Sequence, residues 1–182
     1  MKQFDKKEHC NSIKSAYMNE ILNYIKSEVY NKCGFAITNY QAELEGKEYD
    51  SCKFELNGSI VILSRTAKIT PTKIGQFVTL WKRDNSRITT PHSISDEFDF
   101  VTINVKNGAD FGQFVFPKSA LANHGIVANE NHKGKRGFRV YPSWTAPNNR
   151  QASATQKWQL KCFYDISSDT NLESVKRLYS TK

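Results

Sequence analysis

Nowhere in the 182-residue chain do about eighteen apolar residues run together, so no segment is suited to cross a membrane as a helix. The opening MKQFDKKEHCNSIK is basic but has no apolar stretch behind it, which argues against a secretory signal. Cysteine is scarce as well. Cys10, Cys33, Cys52 and Cys162 form neither a C-x-x-C pair nor a compact disulfide framework, so reduced thiols in a cytosol are expected. A phosphate-cradling P-loop, a dinucleotide glycine fingerprint and a G-x-S-x-G elbow are all missing. His9, His92, His124 and His132 stand away from any Cys or His at metal-ligand spacing, and each is read as a surface or loop histidine.

A more local absence organises the rest. Asp and Glu are missing from residues 65–83, RTAKITPTKIGQFVTLWKR, and again from 131–164. The first stretch holds five Lys and Arg and the second seven, so the two carry 12 of the chain's 26 and leave 14 basic against 18 acidic residues elsewhere. The net charge of +8 therefore divides into +12 from two segments and −4 from the remainder. If the segments meet in the fold they form one strongly positive surface, the usual footprint of a polyanion partner. Eleven Phe, eight Tyr and three Trp place the chain among folded globular proteins, and its length favours one domain, 1–182.

Along the chain, Ile13, Tyr17, Ile21, Tyr24, Ile25 and Val29 recur at helical steps and predict a helix over 8–32, with Gly34 ending it. Residues 39–48 read as a polar loop. Asn57-Gly58 is a hairpin signal between 49–56 and 59–69, and Thr70-Pro71-Thr72 separates this from a strand over 76–83 that puts Lys82 and Arg83 at a sheet rim. Strands over 99–106, 111–116 and 136–141 follow, with a short helix from Pro117 to Ala122. Asn148 or Asn149 caps a helix over 148–165, and Thr170-x-x-Glu173 opens a peripheral helix over 169–180. The expected architecture is α/β (α+β): a central mixed sheet of five to six strands within 49–141, flanked by helices.

That order invites comparison with metal-dependent nucleases, which need carboxylates near a lysine to place divalent ions and an attacking water. The positions two before Lys68 and Lys82 hold Thr66 and Leu80 instead of acids, leaving Glu20, Asp50 and Glu55 as weak candidate ligands. The basic segments are interleaved with Phe77, Trp81, Phe138, Tyr141, Trp144 and Trp158, the pairing of cations and flat rings that single-stranded nucleic acid requires. Of these rings, Phe77, Phe138 and Trp158 read better as core, and Trp144, between Pro142 and Pro147, as exposed.

KFELNG (53–58), AKITPTKIGQFVTLWKR (67–83), FGQFVFPKSAL (111–121), GKRGFRVYPSW (134–144) and TQKWQ (155–159) together resemble the MepB family of bacterial proteins, over about residues 49–163. The resemblance implies a fold similar to PD-(D/E)xK endonucleases with the catalytic acids lost, and affinity for RNA and DNA. The expected protein is then a cytoplasmic monomer without cofactor or membrane partner, a pseudo-nuclease that binds RNA and single-stranded DNA over duplex. Arg65, Lys68, Lys73, Lys82, Arg83, Lys118, Lys135, Arg136, Arg139 and Lys157 are the expected phosphate contacts, with Gln76 and Trp144 on bases or sugars. Two alternatives stand beside it: an active divalent-metal nuclease using Glu20, Asp50 or Glu55 with Lys68, and recognition of a small anion such as a nucleotide by Arg65, Lys68 and Arg139 in one pocket.

Overall fold

Alternation of apolar side chains along three neighbouring strands divides the interior in two. The computed structural model describes residues 18–180. Its main sheet has the order β1 (Ile37–Ala42), β2 (Cys52–Leu56), β3 (Ile60–Thr66), β8 (Phe100–Asn107), β9 (Asp110–Pro117), β11 (Phe163–Asp165). Every pairing is antiparallel except β3 with β8, so the sheet is mixed, as expected. Because successive strand residues face opposite sides, Ile62, Phe100 and Val115 enter one core while Leu63, Val101, Phe114 and Phe116 enter the other.

The first core is closed by α1 (Glu20–Ile25), the π turn that continues it (Lys26–Tyr30) and α4 (Leu172–Ser180), which bury Leu22, Val29, Tyr30, Val175 and Tyr179. The hydroxyls of Tyr30, Tyr164 and Tyr179 all reach Gln113 Oε1, at 3.0, 2.6 and 3.2 Å, and Gln113 Nε2 donates to Asn104 Oδ1 at 2.7 Å. One buried amide thus ties both helical elements to the sheet, its polar atoms satisfied as a buried group requires. The C-terminal helix is not peripheral: Tyr179 is 3% exposed. Its cap is also one residue later than expected, since Asn171 Oδ1 accepts from the Ser174 amide at 2.9 Å while Thr170 turns back to Ser167.

The second core is closed by a separate three-stranded sheet, β10-β5-β4, made of β4 (Lys68–Thr70), β5 (Lys73–Thr79) and β10 (Gly137–Val140), with α2 (Lys118–Asn123) and α3 (Arg150–Gln159). Asn149 caps α3, accepting from the Ala152 amide at 2.8 Å. Lys82–Arg83 (β6) pairs only with Thr89–Thr90 (β7), in a two-stranded ribbon.

Four boundaries differ from the sequence expectation. The helix over 8–32 begins, among the described residues, at Glu20, because Asn19 Oδ1 accepts from the Leu22 amide and caps it; residues 8–17 lie outside the described part. The first four residues of the expected loop over 39–48 belong to β1, an edge strand bulged at Asn39 (φ +50°), whose half-buried Ile37 and Tyr40 are three apart and so show no period of two. The strand over 76–83 breaks after Thr79. The helix over 148–165 ends in a 3-10 turn at Cys162, after which Phe163–Asp165 joins β9 as a strand. None of the described helices is long and apolar enough to cross a membrane.

Candidate functional site

The two acid-free segments are hydrogen-bonded neighbours. Residues 73–79 of the first and 137–140 of the second form the antiparallel pair β5–β10, in register from Gly137 with Thr79 to Val140 with Gln76. Gly137 gives the Phe77 ring room to lie across it: a Cβ there would fall 2.7 Å from that ring, which would have to shift. The far side of β10 is finished by a side chain in place of a strand. Gln159, fully buried at the end of α3, donates from Nε2 to the Arg139 carbonyl at 2.8 Å and accepts the Tyr141 amide on Oε1 at 2.9 Å. Gln156 adds bonds to the Pro142 and Thr145 carbonyls at 2.9 and 2.7 Å. These amides fix the pitch of α3 against β10 and hold open a cleft of about 380 Å³ between them.

His124, Lys135, Arg139, Tyr141, Gln151 and Trp158 line that cleft. A second hollow of about 260 Å³ adjoins it, sharing Arg139 and Tyr141 and lined further by Lys73 and Thr72. Arg139 stands between the two, with its guanidinium fixed by the carbonyls of Lys73 (3.3 Å) and Gly75 (3.1 Å), by Thr70 Oγ1 (2.7 Å) and over the Phe77 ring. Carbonyls and a hydroxyl orient this cation without neutralising it. Lys73 and Lys135 are exposed, and neither they nor Arg139 has a carboxylate partner among the described residues.

The other cavity of interest, about 330 Å³, is lined by Glu43, Glu45, Arg65, Trp81, Arg83 and His92 among others. Every cation in it is paired. Arg65 is 3% exposed, with Nη2 2.6 Å from Glu43 Oε2 and Nη1 donating to the Ser64 carbonyl at 2.8 Å. Arg83 is bonded to Glu45 and lies over the Trp81 ring; Lys82 is bonded to Asp96. Asp96 also accepts from His92 Nδ1 at 3.0 Å. Burial pushes the Asp96 carboxyl up, but the hydrogen bonds from Lys82, the Ser93 amide and His92 outweigh it and hold it below its ordinary value. His92 is held low by burial, against the pull of Asp96.

Of the expected contacts, Lys135 and Arg139 line the cleft together, and Lys73 lines the adjoining hollow with Arg139. Lys68 is exposed on β4 over the Tyr49 ring, Arg136 is exposed at the start of β10, and Lys157 is exposed on α3 but is not among the cleft-lining residues. Arg65, Lys82 and Arg83 are corrected from free cations to members of ion pairs, and Lys118 donates to the Asp96 carbonyl at 2.8 Å over the Phe98 ring. Gln76 is 3% exposed, with Nε2 on the Lys106 carbonyl, so it faces the interior and not a base. Trp144 is half-buried, edge-on to Phe163 at 5.7 Å, because the Pro-flanked loop folds back onto the second core. Arg65 and Arg139 line different cavities, so the single small-anion pocket is not formed. Glu20, Asp50 and Glu55 do not converge: among the described residues no three His, Cys, Asp or Glu are grouped to hold a metal. Sequence reasoning missed Gln156, Gln159 and His124. The repeated Gln of TQKWQ at 156 and 159, one helical step apart, was the available signal.

The sequence model of the MepB-like family matches residues 43–165. A solved structure titled as the crystal structure of MepB is similar over 81% of this chain and 95% of its own, at 36% identity with a TM-score of 0.71. No curated protein matches the chain.

Proposed function

The chain belongs to the MepB-like family, and from that premise we propose that it binds RNA and single-stranded DNA, in preference to duplex, along the cleft between β10 and α3. The observation that carries the reading is the junction of the two acid-free segments as adjacent strands, with Lys135 and Lys73 lining the two adjoining parts of a hollow divided at Arg139. A phosphodiester backbone following that hollow would meet cations whose charge nothing among the described residues cancels, and its affinity would then fall steeply with salt as counterions are released. Preference for single strands follows from the rings in the wall, Tyr141 and Trp158, which need unpaired bases to stack. The same reading expects a pseudo-nuclease acting as a cytosolic monomer; its described cysteines, Cys33, Cys52 and Cys162, are free.

The test is a salt titration of affinity for labelled single-stranded RNA, single-stranded DNA and duplex. The expected result is a steep, linear fall of log K with log salt and the weakest binding for duplex. An affinity that barely changes with salt overturns the proposal. Incubation with the same nucleic acids and magnesium or manganese is expected to yield no cleavage; cleavage abolished by Glu55→Gln or Asp50→Asn would replace this reading with a metal-dependent nuclease.

A further inference from the structure

One pair of rings in the cleft has no part in phosphate contact. The imidazole of His124 lies parallel to the indole of Trp158, with centroids 3.9 Å apart and planes at 10°. The two rings come from separate elements, one closing α2 and the other in the last turns of α3. Each is held by its surroundings. Trp158 packs from behind on Phe116 of the central sheet, centroid to centroid 5.4 Å. His124 sits at the end of α2, where Gly125 turns the chain at φ +65° and the Ile126 amide returns to the Leu121 carbonyl at 2.8 Å, with Ile126 and Val127 anchored in the core.

Phe116, Trp158 and His124 therefore make a ladder of rings running from the interior to the cleft wall, and its last member is exposed. Aromatic contacts at this spacing are favourable when offset or parallel-displaced, and every nucleobase offers a flat face to extend such a stack. Resting on the reading of the cleft as a nucleic-acid site, we propose that His124 and Trp158 form a stacking platform for one unpaired base, while Lys135 and Arg139 hold the flanking phosphates. Burial first, and Lys161 second, keep the imidazole below its ordinary pKa, so at neutral pH it meets the base as an uncharged ring. Preformation matters because the two rings are already stacked before the strand arrives, and the ordering cost of binding is correspondingly smaller.

The test compares the full-length protein with His124→Ala and His124→Phe, using labelled oligouridylate and an abasic strand of equal length, each across a salt titration. His124→Ala is expected to weaken oligouridylate binding roughly tenfold with the salt slope unchanged, His124→Phe to restore it, and neither to alter binding of the abasic strand. Equal binding by His124→Ala and wild type, with the steep salt dependence intact, overturns the platform and leaves the cleft reading standing. An equal loss on the abasic strand also overturns it, since the effect would then not depend on a base. If the wild-type protein shows no salt-dependent binding, both the platform and the reading beneath it fall.

Discussion

Arg65 and Arg139 both come from acid-free sequence and both lie on strands, yet one has its charge matched and the other does not. Arg65 sits in the main sheet with Glu43 against it; Arg139 sits in the outer sheet among carbonyls and a hydroxyl. The same division runs through their neighbourhoods. Around Arg65, the acids Glu43, Glu45 and Asp96 arrive from two flanking loops and pair with Arg65, Arg83 and Lys82. Around Arg139, the neighbours are Gln159, Tyr141, Asn149 and the first basic segment, and among the described residues no carboxylate pairs with it. Counting charge along a chain therefore measures supply, and which cations stay available to a partner depends on acids that come from elsewhere.

The comparison is most exposed to Arg65→Ala, which leaves Glu43 facing the space vacated by a buried guanidinium. Urea denaturation is expected to show a loss of about 3 kcal/mol, with affinity for single-stranded RNA unchanged per folded molecule. A variant that stays stable but no longer binds would invert the two regions. Replacing Lys73 and Lys135 together by alanine should do the opposite. Stability stays within about 0.5 kcal/mol, while the salt slope on a single strand falls by roughly 1.4, about 0.7 for each contact. Lys157→Ala, outside the cleft lining, should move the slope by less than either lysine alone.

A smaller effect in the paired pocket is read by pH. His92 in the paired pocket is held below its ordinary value of 6.5, chiefly by burial. Below that value the unfolded chain takes up a proton that the folded protein refuses, so stability declines as pH is lowered through the range just under 6.5. Chemical denaturation at successive pH values should show this decline in wild type and a shallower one in His92→Gln. The smallest expected change is for Arg83→Gln. Its pair with Glu45 is exposed on both sides and screened by solvent, so denaturation midpoints should barely move, with RNA affinity unaltered.

Much of the scaffold was legible. Asn57 and Gly58 both take positive φ between β2 and β3, the strands read over 99–106 and 111–116 are β8 and β9 to within a residue, and Asn149, one of the two capping candidates, caps α3. Edge elements were not legible, because half-burial and a bulge erase periodicity in β1, and three residues are too few to announce β11. At the site, Lys135 and Arg139 were read as contacts and line the cleft, and Lys73 lines the adjoining hollow with Arg139. Arg65, Gln76 and Trp144 were misplaced because burial of a polar or aromatic side chain is a property of what packs over it. His124 carried no signal, since its partner Trp158 is distant in sequence.

Local chain geometry, with its periods of 2 and 3.6 and its preference for Asn-Gly turns, is encoded residue by residue, and so is the segregation of acids from two long stretches. The sequence alone settled those features. The meeting of β5 with β10, the capture of Arg65, Lys82 and Arg83 by distant carboxylates, and the stacking of His124 on Trp158 were decided only in three dimensions. Ion pairing and ring stacking act over a few ångströms between residues far apart along the chain, and no local pattern records which ones the fold brings that close.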